Sequence, residues 1–394
     1  MLSKEFIKKS VEGCLISSIF TGCGSIASST EVIQAPKAVI SSAYEKNYKN
    51  SIVQKFLPKG MGMVLSPPRA EEQTKAVIKK DITGDGKEEI IFTFKSSKDS
   101  YIGGVIVLMK ENDEWKVALR DYGEGESVYK IDFADMDGDK KLELLVSSFV
   151  GGSVGNKLKI YKFENKKVYK FDLLGMEMYK KMDIEDMPDK EGKKDGKEEI
   201  ALWVHDTGSS YFIEILRYVD GGLVEAEDVY PYYFKKVVSY YKEQLKDKDT
   251  KESPYAWYHL ADSQVKADMP KEALKSLDEC MKYKGKLQEQ SKIKEVYPDD
   301  YIIQMIKGEA LYKLKDYQGS IEVFNKTLEM MKKQEDSVKE NRVRIYYDLG
   351  NSEYALGNRK KAKEYYNTAL KVAEEIYSPD ELFKYSYKIK EKLE

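Results

Sequence analysis

Three times in the first half of the chain an aspartate is followed four residues later by a glutamate, and that glutamate opens an apolar run. The copies are Asp85 to Glu89 before Ile90-Ile91-Phe92, Asp139 to Glu143 before Leu144-Leu145-Val146, and Asp195 to Glu199 before Ile200-Ala201-Leu202-Trp203. Their glutamates lie 54 and 56 residues apart. A period this constant makes each stretch one copy of a supersecondary unit that needs its neighbours to complete a core.

The turns repeat with the same phase. Asn112-Asp113, Asn165-Lys166 and Asp220-Gly221 each follow their glutamate by a little over twenty residues. Asn, Asp and Gly among them accept the left-handed backbone of a tight hairpin turn. Val105 to Met109, Leu158 to Phe163 and Phe212 to Val219 read as strands beside them, and Trp115, Val117 and Leu119 alternate with Lys116, Ala118 and Arg120 as in a half-buried strand. Each repeat is therefore expected to be a four-stranded antiparallel meander.

Asp81-Ile-Thr-Gly-Asp-Gly-Lys-Glu-Glu-Ile90 and Asp135-Met-Asp-Gly-Asp-Lys-Lys-Leu-Glu-Leu144 precede the first two runs. In such a loop, positions one, three, five and nine turn oxygens towards one centre, the all-oxygen shell that a hard cation such as Ca²⁺ prefers. In the second loop these are Asp135, Asp137, Asp139 and Glu143. In the first they are Asp81, Thr83, Asp85 and Glu89, one carboxylate fewer, so weaker binding is expected. Lys140 stands where the first loop has the turn residue Gly86, and in the third copy Lys193 and Lys194 fall at ligand positions, where no ion is expected.

Residues 60–228 resemble the FG-GAP or VCBS-type repeats of integrin-like propellers, on these acidic loops and the strands around them. The resemblance implies blades with structural Ca²⁺. Three blades are fewer than the usual closed ring of four to eight, so either the sheets stay open or other segments cap them.

After Tyr230-Pro231 the period becomes helical. Tyr233, Phe234, Val237, Val238, Tyr241 and Leu245 form one stripe. Three segments that follow resemble tetratricopeptide repeats. The first carries Trp257, Leu260, Ala261, Ala273, Leu277 and Cys280. The second carries Gly308, Leu311, Leu314, Tyr317, Ser320, Phe324 and Thr327, and the third Leu349, Gly350, Leu356, Gly357, Ala362, Tyr366 and Ala369. Ala261, Gly308 and Gly350 sit where one helix must approach the next closely, and Cys280 reads as a packing residue. Extra residues around Lys284 to Asp299 lengthen helices or form a loop. Ser378-Pro379-Asp380-Glu381 starts a final, capping helix. The fold class is thus antiparallel β-meander blades, partly propeller-like, followed by an all-α tetratricopeptide-like array.

The N-terminus has its own chemistry. Lys4, Lys8 and Lys9 precede an uncharged stretch from Gly13 to Gly22, too short to span a membrane. Gly22-Cys23-Gly24-Ser25 then resembles the lipobox of bacterial lipoproteins, although Phe20 replaces the usual Leu and Glu5 and Glu12 add charge. The resemblance implies a signal peptide over 1–22, lipidation of Cys23, a tether over 23–50, a β-blade domain over 51–228 and a helical domain over 229–394. The expected place is the extracytoplasmic face of the cell membrane.

Charged residues make up 34% of the chain at a net charge of −2, with no basic cluster to suggest nucleic acid. Enzyme signals are poor. His205, Asp206, Ser209 and Ser210 lie together, but without the turn that presents a nucleophile. His259 is expected on a helix surface. No Cys/His spacing suggests zinc. The function expected is a surface-anchored, non-enzymatic lipoprotein that binds a protein or peptide through its helical array, Tyr301, Tyr312, Tyr346, Tyr347 and Tyr354 being candidates to line the groove. The alternative is a carbohydrate- or cell-wall-binding module that uses the blades.

Overall fold

The computed structural model describes residues 52–63, 77–96, 98–99, 102–123, 127–152, 154–171, 173, 178–291, 296–332 and 339–393. Cys23 and the whole lipobox-like segment lie outside the described residues.

The N-terminal part is antiparallel sheet. The first sheet holds β1 (Met61–Met63), β2 (Val77–Lys80), β3 (Glu89–Ser96), β4 (Gly103–Glu111) and β5 (Glu114–Tyr122), in the order β1-β3-β4-β5 with β2 also on β3. In the second, β6 (Ser127–Ala134), β7 (Glu143–Gly151) and β8 (Gly155–Glu164) follow one another, and β9 (Lys167–Phe171) pairs with β8. After the short β10 (Met178–Tyr179), the third sheet runs β11 (Lys181–Glu185), β12 (Glu199–His205), β13 (Tyr211–Val219) and β14 (Gly222–Glu225). None of the three closes into a barrel.

The hairpin turns are built as their residues require. Glu111 pairs with Glu114 across Asn112 and Asp113, whose φ angles are 49° and 64°. Asn165 and Lys166 take 50° and 64°, and Asp220 and Gly221 take 46° and 92°. Two consecutive residues at positive φ define the type I′ turn, whose twist matches the flanking strands. The apolar runs become the middle strands: the first six residues of β3 and of β7 are all buried, from Glu89 and Glu143 onward.

By contact the chain divides into two compact units. One runs through Phe133 and resumes over Lys141–Lys170. The other takes Ala134–Lys140 and Phe171–Glu394. In the first unit, Ile91, Val105 and Val107 of the first sheet pack with Val128, Leu144 and Val146 of the second. The other face of the first sheet, with Phe92, Phe94, Ile106 and Leu108, lies under the short helix α1 (Ile52–Phe56) through Val53.

In the second unit the third sheet shares a core with the helices. The first of these, α2 (Tyr230–Gln244), buries Tyr233, Phe234, Val237, Val238 and Tyr241 against Ala201, Trp203, Ile213 and Ile215. Polar tips fix the contact: Trp203 Nε1 donates to Tyr233 Oη at 2.7 Å, and Tyr241 Oη accepts from Tyr211 N and donates to Tyr211 O, both at 2.8 Å. This compact unit holds the third sheet together with the helices that follow it.

A short turn of helix, α3 (Lys248–Lys251), leads to three helical hairpins. They are α4 (Pro254–Lys266) with α5 (Pro270–Ser291), α6 (Asp300–Lys313) with α7 (Tyr317–Met331), and α8 (Lys339–Ala355) with α9 (Arg359–Ile376). A final helix, α10 (Pro379–Leu393), starts at the expected proline. The small residues act as spacers: a Cβ on Gly308 would stand 2.6 Å from the Phe324 ring, and one on Gly350 would run into Tyr366. Ala273, Ser320 and Ala362 are buried opposite them. The extra residues of the first hairpin lengthen α5 to Ser291, and buried Lys284 donates to Pro298 O at 2.7 Å. Cys280 is a buried free thiol, pushed up to about 12 by burial.

His259 is not on the surface as expected. It is 3% exposed, stacks on Tyr241 at 5.6 Å, and has Nε2 2.9 Å from Asp206 Oδ2. Helical periodicity within α4 does not reveal that the β12–β13 connection packs over that face.

Candidate functional site

Two places bring functional side chains together. The first is the acidic loops. In the loop before β3, Asp81 is a hub: Oδ1 accepts from Gly84 N at 2.7 Å and Oδ2 from Gly86 N at 2.8 Å. The loop before β7 repeats this, with Asp135 accepting from Gly138 N at 2.8 Å and Lys140 N at 3.0 Å. Lys140 reaches that bond at φ 67°, beside 81° for Gly86, so lysine adopts the glycine conformation here.

One oxygen from each of Asp135, Asp137 and Asp139 falls within 4.8 Å of the others. The first loop makes no such group among the described residues, because Thr83 stands in the place of Asp137. Asp85 Oδ1 accepts instead from Lys87 N at 2.8 Å. Glu89 and Glu143 are buried at the strand starts. Glu89 Oε2 accepts from Ile82 N at 2.9 Å, and burial raises its pKa, helped by the charges of Asp81 and Asp85. Glu143 Oε1 lies 4.0 Å from Lys162 Nζ.

The third copy shows what the glutamate does. Glu199 Oε2 accepts from Met187 N at 2.8 Å, and its other oxygen accepts from Arg217 Nε at 2.6 Å. Met187 is thus the counterpart of Ile82, with twelve residues to the glutamate where the first copy has seven. In these two copies the glutamate is a bracket that ties the loop to the strand. A second link was not visible in the sequence. The residue before the next repeat's glutamate donates to a carbonyl of the preceding loop: Leu142 N to Ile82 O at 3.0 Å, and Glu198 N to Asp135 O at 2.9 Å. Glu198 Oε2 also accepts from Asp135 N at 2.8 Å.

The second place is a cavity of about 240 Å³ against α4, α6, α8 and α10. Arg344, Asp348 and Asn351 repeat along α8 and point one face at it, with Glu309 and Tyr312 from α6 and Lys388 from α10. Arg344 Nη2 donates to Glu309 Oε2 at 2.7 Å, and its Nε lies 2.7 Å from Oε1. Lys388 reaches Glu227 at 2.5 Å and Glu225 at 3.4 Å. Asp348 is pushed up to about 8, chiefly by burial and then by the Glu309 charge, against the opposing pull of Arg344 and Lys388. Of the tyrosines expected in a groove, Tyr312 and Tyr347 line the cavity. Tyr301 is buried in the array, Tyr346 packs beside Tyr365, and Tyr354 is exposed beside Arg359.

His205, Asp206, Ser209 and Ser210 assemble no triad. His205 Nε2 contacts Gly208 O at 3.0 Å, and Asp206 turns to His259.

Residues 301–375, covering α6 to α9, match the tetratricopeptide repeat family model. The chain carries a tetratricopeptide repeat in its C-terminal part. A solved structure described as the crystal structure of MamA is similar at 19% identity, covering 44% of this chain and 95% of that one, with a TM-score of 0.25. No curated protein matches the chain.

Proposed function

We propose that this chain is a non-enzymatic binding protein whose helical array holds a segment of a partner protein. The observation that supports it is the cavity shared by α4, α6, α8 and α10, because residues 301–375 are of a repeat type that stacks into concave binding surfaces. Protein recognition is the function such surfaces serve, and two cations of the cavity, Arg344 and Lys388, are each held by a glutamate. In the same reading Cys23 carries a lipid that holds the protein on the outer face of the membrane, and the Asp135–Asp137–Asp139 loop takes a structural Ca²⁺.

Crosslinking from intact cells with the full chain as bait tests the core of this reading. Asn351→Arg with Tyr312→Ala, both in the cavity, is expected to lose the captured partner, with circular dichroism showing that the helices are retained although Asn351 gives up the bond it accepts from Tyr366 Oη. A variant that captures the same partner as the parent chain overturns the reading. For the anchor, Cys23→Ala is expected to leave the protein off the membrane, and a variant that still floats with membranes after a high-salt wash sinks that part.

A further inference from the structure

A groove of about 740 Å³ runs along α2. Pro231, Lys235, Val238, Ser239 and Lys242 recur at helical spacing and form one wall. Ala267-Asp268-Met269, the turn between α4 and α5, and Lys313 at the end of α6 form the other, with Lys190 at one end. Four lysines thus face one carboxylate. Asp268 lies 3.3 Å from Lys313, and the highly exposed Lys190 lies 3.6 Å from Glu191. Lys235 and Lys242 have no carboxylate at ion-pair distance among the described residues. Buried Val238 and Ala267, with half-buried Met269, make an apolar floor between the charges.

A structural reason covers only part of this charge. Lys242 and Lys313 stand in the last turns of their helices, where a cation favours the helix dipole. Lys235 is in the middle of α2 and Lys190 is in a loop, so the dipole does not account for them. What the lysines share is the groove.

We infer that this groove takes an acidic peptide segment, with carboxylates on Lys235, Lys242, Lys190 and Lys313 and apolar side chains on Val238 and Met269. The inference rests on the partner-binding reading above and names the chemistry of the partner: Pro231 and Lys313 line both the groove and the cavity, so one extended segment passes from one to the other. A phosphodiester strand fits less well, since it meets the lysines and leaves the apolar floor without a contact.

Fluorescence anisotropy with the full chain tests it. The probe is a labelled peptide of mixed Glu, Asp and Leu, beside a counterpart with Gln and Asn for the acids. Binding of the acidic peptide is expected to be at least about tenfold tighter than that of the neutral one, and to weaken as salt rises. Lys190→Glu with Lys235→Glu is expected to weaken it about tenfold with the melting temperature unchanged, since both side chains are exposed and neither stands at a helix end. Equal affinity for the two peptides, no binding, or an unchanged double variant overturns the inference. So does displacement by an oligothymidylate of equal charge at equal affinity, which marks a surface for any polyanion. The cellular capture experiment separates the two readings: a parent chain that captures its partner yet ignores the acidic peptide fails here alone.

Discussion

The first and third sheets are copies of one repeat, yet each meets its covering helix differently. The first receives a five-residue helix, α1, through apolar contacts of Val53 with Phe92, Phe94 and Ile106. The third receives the fifteen-residue α2, with Trp203, Tyr211, Tyr233 and Tyr241 joined by hydrogen bonds at 2.7 to 2.8 Å. Apolar area alone drives a helix onto a sheet but leaves its register loosely specified. Aromatic rings with polar tips add area and direction together. The third sheet is therefore a fixed platform for the array that follows it.

The largest test of this contrast is where the helical part begins. Residues 171–394 are expected to melt cooperatively, and residues 229–394 to melt far lower, because the latter bare the α2 stripe that Trp203 and Ile215 cover. Equal melting temperatures would break the comparison. Next in size, Trp203→Ala is expected to cost about 3–5 kcal/mol, measured by denaturant unfolding of the full chain. Trp115→Ala on the half-buried edge of the first sheet is expected to cost clearly less. A larger loss at Trp115 reverses the ranking of the two junctions.

How much of this was legible follows from where the information sits. The hairpin turns were readable because Asn112-Asp113 and Asp220-Gly221 are types that a left-handed pair of residues demands. The small residues Gly308 and Gly350 were readable because a ring from the next helix occupies the space a side chain would need. The α2 stripe was readable by period, but its partner was not, since nothing local in Trp203 or Tyr211 says which helix they face. Glu89 reads as a ligand by spacing, and the bond it accepts from Ile82 N was not legible there. The signal that sets Glu89 and Glu199 apart is that each leads a strand buried on both faces, where a carboxylate needs a backbone donor.

A third, smaller effect concerns pH. Asp348 carries a pKa of about 8 in the folded chain against 3.8 ordinarily, so the folded state holds a proton that the unfolded state has lost. The stability this contributes is complete below 3.8 and is lost as pH rises towards 8. Asp348→Asn is expected to flatten the fall in melting temperature between about pH 4 and about pH 8. The same slope in parent and variant would show that Asp348 ionises normally.

The smallest effect expected is that of Ca²⁺, because three carboxylates at a half-exposed loop make a modest site. At ~10⁻³ M Ca²⁺ the full chain is expected to melt slightly higher. Asp137→Ala is expected to abolish the rise, and Asp195→Ala to leave it. Identical scans with Ca²⁺ and with chelator reduce the loop to an acidic turn.

Cys280 gives the helical array an internal clock. Its thiol is buried and pushed up to about 12, so in the closed array almost none of it is thiolate near neutral pH. A thiol reagent in excess then reacts only as fast as the first hairpin opens. With Cys14 and Cys23 replaced, the rate of labelling at Cys280 reports that opening directly, and any partner that clasps the array slows it without touching the sulfur.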